Sequence, residues 1–268
     1  MARAGLFFLI CYAWSWGFWS VPLGLGLDIW AWPNTIWLYL GGLGPPLAGL
    51  FMLARTGALG GFARRAISLH WLRSPAAIAI VCAPLAFALG GAALVWLVSA
   101  EPDALDAAAL RAGLADPLAL LGFAAFIFLL GPLPEEIGWR GFAQDALQAR
   151  LSPLAASLAL GLGWGLWHWP LFLMEGYYEA FGGAAPEPLR FGADILVGSV
   201  LIGFAYLAAG RSVLAAVLFH FFNNFAGEIL RLTPTAEDWR SGLALVAALA
   251  LAPSMLRRRN SAAAPDSG

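Results

Sequence analysis

Apolar residues run for about 20 positions at eight places along the chain, roughly 5–27, 35–54, 75–99, 116–133, 153–174, 190–209, 212–230 and 240–256. The hydrocarbon core of a bilayer is about 30 Å thick and takes about 20 helical residues to cross. The spacing therefore predicts an all-α, polytopic membrane helix bundle with about eight transmembrane helices, of which the fourth and eighth are the shortest. Composition agrees, since 61% of the 268 residues are hydrophobic and 12% are charged, against about 25% charged in a soluble domain. Only short segments join the stretches, so residues 1–256 read as a single integral membrane domain and 257–268 as a disordered cytoplasmic tail.

All 15 basic residues are arginines, and their positions orient the bundle, because cytoplasmic loops of inserted helices are enriched in Arg and Lys. With the N-terminus inside, eleven arginines fall on the inner side, including Arg55, Arg64, Arg65, Arg73, Arg140, Arg150 and Arg211. Four fall outside: Arg111, Arg190, Arg231 and Arg240. Both termini of a multi-pass membrane protein are thus expected in the cytoplasm. The first stretch reads as a retained helix, since no small-residue cleavage site follows it. The segment GGFARRAISLHWLR, apolar and arginine-rich by turns, fits a helix lying at the inner interface. The net charge of −1 excludes nucleic acid as a partner, because phosphate binding needs a basic footprint. Cys11 and Cys82 sit inside apolar runs, as small hydrophobes do.

Against this background the stretch GPLPEEIGWR, residues 131–140, stands out. Gly131, Pro132 and Pro134 should end the fourth helix, since proline lacks an N–H and clashes with the preceding turn, and Pro134 suits the first turn of a new one. Irregular backbone at membrane depth is tolerated only where protein or a water-filled cavity satisfies it, so the break predicts a wet pocket. Glu136 and Arg140, four apart, share a face and can pair. Glu135 points about 100° away, which leaves its carboxylate free. Two acids and an arginine at a solvated helix end would explain the same residues without function.

Further polar residues lie in the fifth and seventh stretches. LGLGWGLWHWPLF places His168 one turn after Trp164, and LFHFFNNFAGE places His220 and Asn224 on one face with Asn223 turned aside. An ionisable residue at bilayer depth costs about 2.5–3.5 kcal/mol on insertion scales, so a carboxylate, two imidazoles and an amide argue for one site rather than four accidents of packing. Asn223 also suits a role as interhelical glue. His70, Asp194 and the pair Glu228 with Arg231 read as groups near helix ends or the interface.

In order and context these residues resemble the CPBP family, bacterial membrane proteases related to the type II CAAX prenyl proteases. The family pattern is a glutamate pair with an arginine four after the second, then Phe-x-x-x-His, then His-x-x-x-Asn, on successive helices. Here it stands as EEIGWR, WGLWH and HFFNN, over about residues 116–230, with Trp164 where the family usually has Phe. The resemblance implies an intramembrane endopeptidase acting on a membrane-associated protein or peptide near the cytoplasmic face. It implies catalytic roles for Glu135, His168, His220 and Asn224, supported structurally by Glu136, Arg140 and Trp164. The relatives also suggest CAAX processing, but bacteria generally lack prenylated CAAX substrates, so that substrate is not expected.

Two mechanisms fit the residues. Glu135 can act as general base on a water, with His168 holding it and His220 and Asn224 stabilising the oxyanion. Alternatively Glu135, His168 and His220 can hold zinc, whose bound water ionises near neutral pH. An amide is a poor zinc ligand, and no HExxH segment is present, which favours the mechanism without a cofactor. A non-catalytic membrane binding protein, with a bacteriocin-immunity or anchoring role, could use the same cavity, and a transporter is a third possibility. Taken as straight helices, the stretches place Glu135, His168 and His220 at different depths.

Overall fold

The computed structural model describes residues 2–99, 104–174, 176–178 and 185–256; the expected tail lies outside them. Fourteen α-helices account for nearly all of the described chain. They are α1 (Ala2–Leu25), α2 (Thr35–Gly42), α3 (Gly44–Arg55), α4 (Leu59–Ala66), α5 (Pro75–Val81), α6 (Ala83–Ser99) and α7 (Ala108–Ala115), followed by α8 (Pro117–Leu130), α9 (Pro132–Gly138), α10 (Gln144–Gln148), α11 (Pro153–Trp167), α12 (Pro188–Ala208), α13 (Val213–Ile229) and α14 (Pro234–Met255). The strands are two residues long, Leu105–Asp106 and Arg231–Leu232, paired antiparallel.

The starts of these helices are written locally. Ser74, Asp116, Ser152 and Thr233 each precede a proline, and each side chain accepts a bond from the backbone N–H three residues on. The cap satisfies one orphan donor, and proline fills the first turn, where its missing N–H costs nothing. Glu187 before Pro188 caps α12 in the same way. At the other end of α12 the chain turns through Gly210 and Arg211, with φ of 67° and 65°. A left-handed conformation is unfavourable for arginine, and the Arg211 side chain is held there by Asp145 and by Gln148 at 3.1 Å.

Each of the eight apolar stretches is helical, and the chain forms a polytopic helical bundle. Among the described residues four elements are long and apolar enough to cross a bilayer: Ala2–Leu25, Thr35–Arg55, Pro117–Gln148 and Pro188–Ala208. Pro75–Val81 with Ala83–Ser99, bent by 59° at Cys82, makes a fifth if counted as one span. α11 and α13, with 15 and 17 residues, are shorter, and α14 carries Glu237, Asp238 and Arg240 in its first half.

The fourth stretch departs from expectation. Rather than being among the shortest, it belongs to a 32-residue element, Pro117–Gln148. Gly131 leaves helical geometry (φ −121°, ψ −91°), but only for one residue. The hydrogen bonds Gly131 N–H to Ile127 O and Glu135 N–H to Gly131 O, both 3.2 Å, carry the helix through. Pro132 and Pro134 lie in the turn after the break, where they remove the intrahelical partners of the Phe128 and Leu130 carbonyls. They loosen one turn and do not redirect the chain. A π-helical turn over Trp139–Ala143 then joins α9 to α10.

This continuity resolves the depth problem. At about 1.5 Å per residue the element is roughly 48 Å long, and Glu135 lies just past its midpoint. α11 spans only about 22 Å and ends at His168, while His220 sits near the middle of α13. A long, a short and an intermediate helix thus bring the three residues to one level.

Close backbone approach fixes the neighbours. α3 crosses α9 at Gly49 and Gly138, where a Cβ on Gly49 would lie 2.9 Å from Gly138 Cα and one on Gly138 would lie 2.6 Å from the Pro45 carbonyl carbon. α11 packs on α12 through Gly161, Ser157, Ser199 and Gly203. Small residues serve this purpose in membranes, where dispersion and close contact replace the hydrophobic driving force. α8, in contrast, buries no residue and exposes Leu118, Leu121, Leu129 and Leu130, as a lipid-facing helix does. The arginine-rich segment 59–73 forms α4 and a 3₁₀ turn; Phe62 lies against Gly141, and Arg65 reaches Asp145 at 3.4 Å.

Gly138→Val should lower stability by about 1–3 kcal/mol, the cost of overpacking a tight contact. A thermal melt of the purified protein in detergent checks this. Gly122→Ala on α8, where a Cβ meets nothing within 4 Å, should leave the melt unchanged.

Candidate active site

The site is built on a buried ion pair. Glu136 and Arg140 are both fully buried, and Arg140 Nη1 donates to both carboxylate oxygens of Glu136 at 3.0 Å. Arg140 Nη2 donates to the backbone O and to Oγ of Ser199 on α12, both at 3.1 Å. Ser199 Oγ donates in turn to the Ser157 carbonyl on α11 at 2.8 Å, and Gln144 Nε2 donates to Ser157 Oγ at 3.0 Å. Desolvating two charges is costly unless further hydrogen bonds satisfy them, and these supply much of what is needed.

Glu136 has a second partner. Nδ1 of His220 lies 3.0 Å from its Oε1. A carboxylate only accepts, so Nδ1 carries the shared proton, and the neutral ring leaves Nε2 as an acceptor. His168 is set in the same sense, with Nδ1 2.9 Å from the Trp164 carbonyl. Oxygen partners at Nδ1 thus fix the tautomer of both rings.

Glu135 and Asn224 complete the arrangement. Glu135 is half-buried, and its Oε2 accepts a 2.7 Å hydrogen bond from the indole Nε1–H of Trp164. The Trp164 ring also stands edge-on to His220 at 5.0 Å and lies 5.6 Å from the Arg140 guanidinium carbon. Asn224 Oδ1 accepts from Asn223 Nδ2 at 3.3 Å, which leaves the Asn224 amide N–H groups to other partners. That amide faces Gly131, where a Cβ would lie 4.0 Å from Nδ2, so the helix break and the amide meet.

Glu135, Trp164, His168, His220 and Asn224 all line one cavity of about 830 Å³. Glu136 and Arg140 stand behind it. Asn223 is exposed and accepts from Arg240 of α14 at 2.8 Å through Oδ1. His70 is exposed on the 3₁₀ turn; Asp194 and Glu228 lie on the cavity wall farther along.

Zinc requires three or four converging donors at about 2.0–2.2 Å for nitrogen and oxygen. The two histidines present suitable tautomers, since metal-bound imidazoles commonly give their other N–H to a carboxylate or carbonyl. Yet among the described residues no group of three His, Cys, Asp or Glu side chains is placed to hold a metal ion, and Glu135 Oε2 is engaged by Trp164. The donor set as it stands does not fit zinc.

Residues 117–226 match the family model "Type II CAAX prenyl endopeptidase Rce1-like". Glu135, Glu136, Arg140, Trp164, His168, His220 and Asn224 all lie within that segment. That segment is similar to the Rce1-like family. The chain is also similar to CAAX prenyl protease 2 of Methanococcus maripaludis, with 37% identity over 128 residues, 47% of each protein. It thus matches about half the length of this curated relative.

Several contributors lie beyond the motifs. Ser157, Ser199 and Gln144 are single polar residues in apolar helices, a signal open to anyone who asks where a buried arginine finds its acceptors. The first helix, outside the Rce1-like segment, buttresses the end of α11. Tyr12 donates to the Gly163 carbonyl at 2.7 Å and Trp16 to the Trp167 carbonyl at 3.2 Å, while Trp167 donates to Ser15 Oγ at 2.7 Å. Last-turn carbonyls lack intrahelical partners, and Trp16 of α1 satisfies that of Trp167, directly beside His168.

Glu136→Gln or Arg140→Met should each cost about 3–5 kcal/mol, because either leaves a buried charge unpaired. Glu136→Leu with Arg140→Met should recover much of that loss in a thermal melt without restoring the placement of His220.

Proposed function

We propose that the protein is an intramembrane endopeptidase that hydrolyses a peptide bond in a membrane-associated protein or peptide, close to the cytoplasmic face of a bacterial inner membrane. The observation that carries this reading is the convergence of Glu135, His168, His220 and Asn224 on one cavity. The Rce1-like segment and the relative named as a CAAX prenyl protease support the reaction class.

Each residue has a role that follows from its partners. Glu135, as a carboxylate, takes a proton from a water whose other hydrogen is accepted by Nε2 of His168. The water oxygen bonds to the carbonyl carbon of the scissile amide, and the carbonyl oxygen becomes an oxyanion. Asn224 Nδ2 donates to that oxyanion, and His220 Nε2 joins it when the ring is protonated, a charge that Glu136 offsets. The proton on Glu135 then passes to the leaving amine as the C–N bond breaks. Positioned base catalysis contributes about 10²–10⁴-fold and an oxyanion donor about 10²–10³-fold. No step passes through a metal.

The cavity also suits an apolar substrate segment. Ile36 and Tyr39 of α2, Leu43 just after it, and Phe126, Leu129 and Leu130 of α8 line it while remaining partly exposed on the lipid-facing surface. A membrane-associated chain can thus reach Glu135 without first entering water.

Glu135→Gln should abolish the appearance of new N-termini when the purified protein, in liposomes, is incubated with a cell membrane fraction and the products are read by mass spectrometry. Undiminished cleavage by that variant contradicts the reading, and absence of cleavage by the wild type favours a binding role. Asn224→Ala should slow cleavage about 10²-fold or more. Cleavage should persist in a strong zinc chelator; loss that added zinc restores would overturn the metal-free mechanism.

A further inference from the structure

Trp164 does more than wall the cavity. Its indole N–H meets Glu135 Oε2 at 2.7 Å, at the short end of the range for N–H donors. The bond bridges two separate helices, α9 and α11, 29 residues apart. The same residue supplies the carbonyl that fixes His168 at 2.9 Å and the ring edge against His220 at 5.0 Å. Its side chain is buried against the cavity wall. One oxygen of Glu135 is held and the other stays available to a water.

We infer that Trp164 is a positioning residue for the base: its indole N–H orients the Glu135 carboxylate toward the water and stabilises its ionised form. This rests on the reading of Glu135 as general base. A donor to a carboxylate favours the charged state, and the base must be charged to accept a proton. Phenylalanine would keep an aromatic ring and the backbone carbonyl used by His168, and would lose the N–H together with one ring of the indole. Trp164→Phe therefore removes the hydrogen bond, and the pH–rate profile separates that loss from the lost volume.

The test compares pH–rate profiles of the wild type and Trp164→Phe on one peptide cleaved by the wild type, with Glu135→Gln alongside. Losing a hydrogen bond to a charged group should lower kcat about tenfold or more at little change in KM. The acid side of the profile should move to higher pH by about one unit, because the carboxylate form has lost a donor. A Trp164→Phe profile that superimposes on the wild type, or a loss confined to KM, overturns the inference while leaving the function intact. Cleavage by Glu135→Gln at the wild-type rate overturns the function itself. If Trp164→Phe does not fold, ¹⁵N-indole spectra of the wild type decide. One indole resonance must shift over the pH range in which activity falls, and that shift must vanish in Glu135→Gln; a spectrum with no titrating indole overturns the inference.

Discussion

The ion pair between Glu136 and Arg140 sets the register of the central helices. Neither side chain is exposed, and among the groups that satisfy them are Ser199 on α12 and His220 on α13. Ser199 extends the chain to Ser157 on α11. In water such contacts could be exchanged for solvent, but in a bilayer core each buried polar group must be satisfied internally. A slip of any one helix would strand a charge. The pair is weak evidence for stability, since apolar replacements of buried pairs are often neutral or better. Its value here lies in geometry, because the carboxylate that holds Arg140 also fixes the tautomer and direction of His220.

On that frame the groups proposed as catalytic face the cavity. Glu135 follows from its neighbour: one residue along a helix turns about 100°, so anchoring Glu136 to Arg140 points Glu135 elsewhere. Trp164 occupies that direction and joins α9 to α11 through one hydrogen bond. The break at Gly131 brings backbone without a side chain to Asn224, and both line the cavity.

Much of this was legible in the residues. The apolar periods gave the helices, the spacing of Glu136 and Arg140 gave the pair, and the histidines with Asn224 marked the helices that converge. The length of the fourth element was not legible, because Pro132 and Pro134 read as a stop. Proline forbids two hydrogen bonds, and a helix long enough on both sides can lose them and continue. The bond from Trp164 to Glu135 was hidden for a different reason: a tryptophan in an apolar run reads as bulk, and only the crossing of α9 and α11 reveals which way its N–H points. The buttress from α1 depends on the same kind of long-range contact, 151 residues apart at Tyr12 and Gly163.

The central claim is that Glu135 activates a water and does not itself bond to the substrate. Single-turnover hydrolysis of a cleaved peptide in H₂¹⁸O, with enzyme in excess, tests it most directly. Water attack places ¹⁸O in the new C-terminal carboxylate of the product and none in the enzyme. Label recovered in the enzyme peptide that contains Glu135, with unlabelled product, would contradict the account.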